Sequence, residues 1–253
     1  MNQRQRQEWI AEKVKIKGSI TSAEIAEEFG ISKMTVGRDF KELESRGVIQ
    51  LFHGGAMYKD SNILEYPISV KSDLFVNEKK RIGQRAAEEI SDGSSVFLET
   101  GTTVLHVALE LTQKIGCNYY TNSLLVMNHL SKVENLSLHS VPGKYRELSG
   151  GFLGMETQNY MNHLSFDYCV IGAEAVDSNG RVSLHSEEDA FTKQAVMARS
   201  KKKILVFDRS KIAQNYLYGI GFIHDFDTVI TDYSEIFDFF ANDRESGGNI
   251  LVV

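Results

Sequence analysis

Residues 20–56, ITSAEIAEEFGISKMTVGRDFKELESRGVIQLFHGGA, constrain the fold more than any other stretch. Thr21 or Ser22 stands where it can cap a helix, and Glu24 where a capping-box carboxylate reaches back. Ile25, Ala26 and Phe29 follow at helical spacing, and Gly30 suits the left-handed residue that closes a helix. Ile31 can plug the angle to a second helix, which Ser32 caps. On that helix Val36, Phe40 and Leu43 fall at i, i+4 and i+7, one buried stripe. Met34, Gly37, Arg38, Lys41 and Ser45 lie on the opposite face. VIQLF then reads as a strand and His53-Gly54-Gly55 as a turn. The pattern is a winged helix-turn-helix, whose second helix enters the DNA major groove with its first residues near base edges. The expected DNA-contacting residues are Thr21, Ser32, Lys33, Met34, Thr35, Gly37, Arg38 and Lys41, with His53 in the wing. Arg38 and Lys41 suit phosphates or guanines. A small helical domain that binds protein or RNA is the alternative.

The segment resembles the N-terminal domain of DeoR-type (deoxyribose-operon-repressor-type) bacterial regulators. Those commonly read S-x-x-T-I/V-R-R-D-L, then L-E-x-x-G, then a basic strand ending H-G-G-A. Here the stretches are Ser32-Lys33-Met34-Thr35-Val36-Gly37-Arg38-Asp39-Phe40, Leu43-Glu44-Ser45-Arg46-Gly47 and His53-Gly54-Gly55-Ala56. Gly37 replaces the first of two arginines, at a cost of about 1 kcal/mol relative to Ala inside a helix. Gln50 and Leu51 stand where arginine is common in the wing. The resemblance implies binding to double-stranded operator DNA, and the departures imply an unusual operator preference or weaker binding.

The net charge of −6 does not argue against DNA once it is divided along the chain. Residues 1–59 carry ten Lys and Arg against eight Asp and Glu, and the remainder carries 18 against 26. The acidic part is a separate body, and placement of charge on one helix must do the work. No segment has the roughly 18 uninterrupted apolar residues of a membrane span, and the polar start MNQRQRQEWI is not a signal peptide. Cys117 and Cys169 lie in apolar contexts, consistent with buried thiols and a cytoplasmic location. The seven histidines show no metal-ligand spacing, and no cofactor is expected.

Residues 2–17 read as a first helix with Trp9, Ile10, Lys13, Val14 and Ile16 near one face. Residues 1–57 are thus assigned to the winged helix-turn-helix and residues 58–77 to a linker with some extended structure. From residue 78 helices and short apolar strands alternate. Helices are expected over 79–90, 103–112, 123–130, 187–198 and 234–240. Strands are expected over 95–99, 118–121, 136–141, 168–171, 204–207, 228–231 and 250–253. This predicts an α/β domain with a mostly parallel sheet covered on both faces.

In such sheets ligands bind beyond the carboxyl ends of the strands. Two strand-to-helix loops there carry hydroxyls and free amides suited to an anion: Glu99-Thr100-Gly101-Thr102-Thr103 and Thr121-Asn122-Ser123. Taken alone, the second is better explained by plain helix capping; two such loops in one sheet favour a phosphate pocket. Lys193 and Lys211 downstream could complete a phosphate site. A Walker loop and a GxGxxG fingerprint are both absent, which argues against nucleotide hydrolysis and dinucleotide binding.

The resemblance extends to nearly the whole chain. The DeoR-type C-terminal domain usually carries D-x-G-T-T, T-N-S, G-G-x-x-R and D-x-S-K. Here these become Glu99-Thr100-Gly101-Thr102-Thr103, Thr121-Asn122-Ser123, Gly143-Lys144-Tyr145-Arg146 and Asp208-Arg209-Ser210-Lys211. That domain is similar to ribose-phosphate isomerases and senses phosphorylated sugars. The resemblance implies an effector site including these loops, Asp177 and Lys193, in a homo-oligomeric dimer or tetramer. Glu99 for Asp and Lys144 for Gly put the ligand in question. Ile171-Gly172-Ala173-Glu174-Ala175-Val176-Asp177 also resembles the isomerase D-G-A-D-E, but Ile171 and Thr192 replace two acidic residues that proton transfer would need. The expected function is a repressor of a carbohydrate-use operon rather than an enzyme. An isomerase-like enzyme with an appended head, and a regulator that no longer senses a metabolite, are the alternatives.

Overall fold

The structure, a computed structural model, describes residues 2–52, 54–58, 65–236 and 249–253. The chain divides into two compact units, Met1–Leu74 and Phe75–Val253.

The first unit contains α1 (Gln3–Lys17), β1 (Ser19–Thr21), α2 (Ser22–Phe29), α3 (Lys33–Ser45), β2 (Ile49–Phe52), β3 (Gly55–Tyr58) and α4 (Ile68–Asp73). Thr21 caps α2 in a full capping box with Glu24, and Gly30 ends it at φ 62°. Ser32 caps α3 through the Thr35 N–H, 3.2 Å. Val36, Phe40 and Leu43 join Ile10, Val14, Ile25 and Ile49 in one core. Trp9 packs edge-on against Phe29, with ring centroids 4.8 Å apart.

Three expectations are corrected here. Ile16 is 74% exposed; the buried face of α1 is Arg6, Gln7, Ile10 and Val14, because Arg6 and Gln7 reach a buried carboxylate on α3. Residues 19–21 add a third antiparallel strand, giving the order β1-β3-β2, with Ile20 opposite Ala56. Residues 68–73, expected to be linker, form α4. Pro67 presets φ at −55° and its carbonyl accepts from Val70 N at 3.0 Å, which starts the turn.

The second unit runs α5 (Val76–Glu88), β4 (Ser95–Leu98), α6 (Thr102–Glu110), β5 (Asn118–Thr121), α7 (Leu124–Leu130), β6 (Ser137–Ser140), β7 (Lys144–Arg146), β8 (Gly151–Leu153), α8 (Met155–Met161) and β9 (Phe166–Gly172). It continues with β10 (Ala175–Val176), β11 (Arg181–Leu184), α9 (Glu187–Met197), β12 (Ser200–Val206), β13 (Tyr218–Phe222), β14 (Thr228–Thr231) and β15 (Asn249–Val252). The helix expected over 234–240 lies largely outside the described residues.

Seven strands form a parallel sheet in the order β15-β14-β12-β9-β4-β5-β6. Successive side chains point to opposite faces, and both faces are buried. Val96, Leu98, Val170 and Val206 join α5, α6 and α7 in one core. Phe97, Cys169, Ile171 and Leu205 join Ala190 and Val196 of α9 in the other. That double burial is why these strands read as continuous apolar runs. Gly83 lets α5 lie directly on α6, since a Cβ there would stand 2.7 Å from the His106 carbonyl. The small β10-β11-β13 sheet and the β7-β8 hairpin are additions that sequence reading did not foresee.

The chain lays down β4, β5 and β6 toward one edge, then returns to β9 on the other side of β4 and continues to β15. The topological switch point, where such sheets open a crevice, therefore lies between the carboxyl ends of β4 and β9.

Candidate functional site

The first site is the outer face of α3. Lys33, Arg38 and Lys41 are exposed, and Met34 is 71% exposed. The Ser32 and Thr35 hydroxyls lie 3.0 Å apart, bonded to each other at the helix start. The Thr21 hydroxyl is spent on Glu24, at 2.8 Å to its carboxylate. His53 lies outside the described residues. The orientation of α3 is fixed from behind by Asp39, which is 1% exposed. Arg6 Nε donates to it at 2.6 Å and Gln7 Nε2 at 3.2 Å.

The second site is at the switch point. Glu99 follows β4 with no exposed surface, and its carboxylate pairs with the ammonium of Lys193, 4% exposed, on α9. The Thr100 hydroxyl donates to the other Glu99 oxygen at 2.8 Å. One helical turn before Lys193, Asp189 accepts from Arg146 at 3.2 Å and from Ser149 at 2.7 Å. Burial, reinforced by the Glu99 charge, pushes the Asp189 carboxyl up to about 6. Beyond it Glu174 accepts from the His185 backbone N–H, 3.0 Å, and lies 3.0 Å from His185 Nδ1. The His185 ring packs on Tyr216, whose phenol is pushed up to about 12 by burial and then by Glu174.

The two strand-to-helix loops differ in kind. At α7 the Ser123 side chain caps Val126 N, and Leu124 N donates to the Gly150 carbonyl at 2.9 Å, so that helix start is closed. Thr121 bonds Leu98 O at 2.6 Å and accepts from Ser123 N at 3.0 Å. At α6 the N-cap is Gly101, at φ 123°, with no side-chain cap. Leu105 N donates to Gly101 O at 3.0 Å and begins the helical ladder, so the N–H groups of Thr102, Thr103 and Val104 precede it. Gly151 lodges between the loops; a Cβ there would meet Thr100 Cγ2 at 2.2 Å and Asn122 O at 3.0 Å. Asn122 Oδ1 and Thr192 Oγ1 are buried without a hydrogen-bond partner among the described residues.

Glu99, Thr100, Arg146 and Lys193 thus fall in one polar cluster through Asp189, beside the α6 start with Gly101, Thr102 and Thr103, while the Asn122 amide donates to Phe152 O at 3.2 Å. Others stand apart from it. Lys144 is exposed on β7. Gly143 packs against Thr157 and the Leu153 backbone. Asp177 makes a tight turn, accepting from Asn179 N at 2.9 Å and Arg181 N at 3.0 Å. Lys211 lies in a short 3-10 turn beyond β12. There Arg209 stacks on Phe75, 5.9 Å from its ring centroid, and pairs with Glu78 at 3.1 Å. Sequence reading missed Ser149, His185, Asp189 and Tyr216. Asp189 was within reach, because it lies four residues before Lys193 on one helix face.

Among known families, residues 6–62 match the DeoR-like helix-turn-helix domain and residues 75–233 the DeoR C-terminal sensor domain. The chain belongs to the DeoR family. It is a family member with a DNA-binding head and a sensor domain. It is 32% identical over 232 residues to the glycerol-3-phosphate regulon repressor of Escherichia coli K12, covering 92% of each chain. It is 33% identical over 235 residues to the lactose phosphotransferase system repressor of Lactococcus lactis, again covering 92% of each. These relatives are transcriptional repressors, not enzymes. Of solved structures, ribose 5-phosphate isomerase from Plasmodium falciparum aligns over 54% of this chain and 53% of its own at 17% identity, with a TM-score of 0.40. No helix among the described residues is long and apolar enough to cross a membrane, and these residues hold no group of three His, Cys, Asp or Glu placed to bind a metal ion.

Proposed function

We propose that this DeoR-family protein represses a carbohydrate-use operon in the cytoplasm and is released from its operator by a phosphorylated sugar held at the β4–β9 switch point. The observation that supports this most is the uncapped start of α6 beside the buried Glu99–Lys193 pair. Free N–H groups at a helix start suit a phosphate. Glu99, Asp189 and the unpartnered Asn122 Oδ1 can accept from sugar hydroxyls. The relatives named for a glycerol-3-phosphate regulon and for a lactose phosphotransferase system support the same class of target. One head offers few contacts, so affinity would come from a homo-oligomer placing two heads on half-sites about 34 Å apart or a multiple of that. The effector acts by favouring the arrangement whose heads no longer match that spacing.

The test is binding to the DNA upstream of its own operon, with and without a panel of sugar phosphates. Release without turnover supports the proposal. Turnover would replace it with an isomerase-like enzyme, and binding blind to every sugar phosphate with a regulator that senses no metabolite.

A further inference from the structure

Gly37 has no internal reason to be glycine. It sits in the middle of α3, where glycine is the poorest helix former after proline. Its backbone is helical, and a Cβ built on it meets nothing within 4 Å. Neither a left-handed conformation nor a close internal neighbour calls for it. What it leaves is a gap on the outer surface of the helix, one turn after Met34. At 3.6 residues per turn, Met34 points directly away from the Val36–Phe40–Leu43 stripe, and it is 71% exposed. Lys33, Arg38 and Lys41 flank the pair and are exposed. The nearby Ser32 and Thr35 hydroxyls are already bonded to each other.

This face therefore offers a flexible thioether chain beside a position that bears no side chain, with Arg38 and Lys41 alongside them. Met34 and Gly37 themselves carry no side-chain hydrogen-bond donor to aim at a base edge. In the major groove the one apolar mark on a base is the 5-methyl group of thymine. We propose that Met34 and Gly37 together form an apolar reader that takes a thymine methyl against the Met34 side chain in the open space over Gly37, while Lys33 and Lys41 hold neighbouring phosphates. Gly37 is then a specificity-determining residue, and operator half-sites carry a thymine where this part of α3 meets the groove. The inference rests on the assignment of α3 to the major groove.

The experiment selects the preferred half-site of the full chain from random duplex DNA, then replaces each thymine in turn with deoxyuridine. At one position, loss of the methyl group is expected to weaken binding about fourfold, the transfer free energy of one buried methyl group. Met34→Ala, which alters an exposed side chain, is expected to fold normally and bind both DNAs equally. Gly37→Leu fills open space with a better helix former, so it should melt no lower than the wild type while losing the preference for thymine. Wild-type protein indifferent to every thymine methyl would overturn the proposal, as would Met34→Ala retaining the discrimination. Selection of no DNA at all would instead overturn the major-groove assignment itself, and this proposal with it.

Discussion

Glu99 and Lys193 are joined across the switch point by an ion pair that the folded sensor unit withdraws from water. Such a pair costs desolvation on both sides, and either charge left alone in the same place is worse. Lys193→Ala is therefore expected to destabilise the sensor unit by about 3–5 kcal/mol. The double variant Glu99→Gln with Lys193→Met removes both charges and should recover most of that loss. It should still bind operator and fail to release it with any sugar phosphate. Denaturant titration and DNA binding read the two effects separately.

Asp189 gives the stability of the sensor unit a pH slope. Its carboxyl is raised from 3.8 to about 6, first by burial and then by the Glu99 charge. The folded state thus holds the proton more tightly than the unfolded chain. Its contribution is fully present below about pH 4 and is lost as pH rises through about 6, a change on the order of 3 kcal/mol. Asp189→Asn should flatten this segment of the profile, measured as denaturation midpoint against pH.

In the head, Arg6 and Asp39 stabilise the recognition helix from behind. Arg6→Ala leaves the Asp39 charge buried with Gln7 as its remaining hydrogen-bond donor, and is expected to cost about 3–5 kcal/mol. Operator binding should fall with the melting temperature of the head. Asp39→Asn keeps the shape and removes the charge, so it should be the milder change.

Arg38 separates binding from folding. It is exposed and makes no ion pair among the described residues. Arg38→Ala should leave stability within about 0.5 kcal/mol. Operator binding should weaken by about 1–3 kcal/mol if Arg38 reads a guanine, or the salt slope should drop by about 1 if it holds a phosphate. Binding isotherms at several salt concentrations distinguish the two.

What was legible in the sequence follows from how local each signal is. The Thr21–Glu24 box, Gly30, Ser32 and the Val36–Phe40–Leu43 stripe lie within a few residues of their partners, and all of them stand in the structure. The parallel strands were readable because burial on both faces leaves uninterrupted apolar runs. The Arg6–Asp39 pair spans 33 residues of sequence, and nothing local marks it. The β10, β11 and β13 strands are two to five residues long and pair in an antiparallel sheet, too short for alternation to show. At the sensor site the residue types at the strand ends were visible. Capping by Thr121-Asn122-Ser123 was legible too, and Ser123 does cap Val126 N; what the sequence could not show is that the Gly150 carbonyl, supplied by the hairpin, also takes Leu124 N.

Phe75, the first residue of the sensor unit, holds a left-handed backbone at φ 52°, uncommon for an aromatic side chain. Arg209 covers its ring, and the Arg209 backbone N–H is anchored on Asp232 at 2.7 Å. One guanidinium therefore works as a rivet. It fastens the loop beyond β12 to the residue that opens α5, so one side chain ties a strand end of the sensor unit to the start of its first helix.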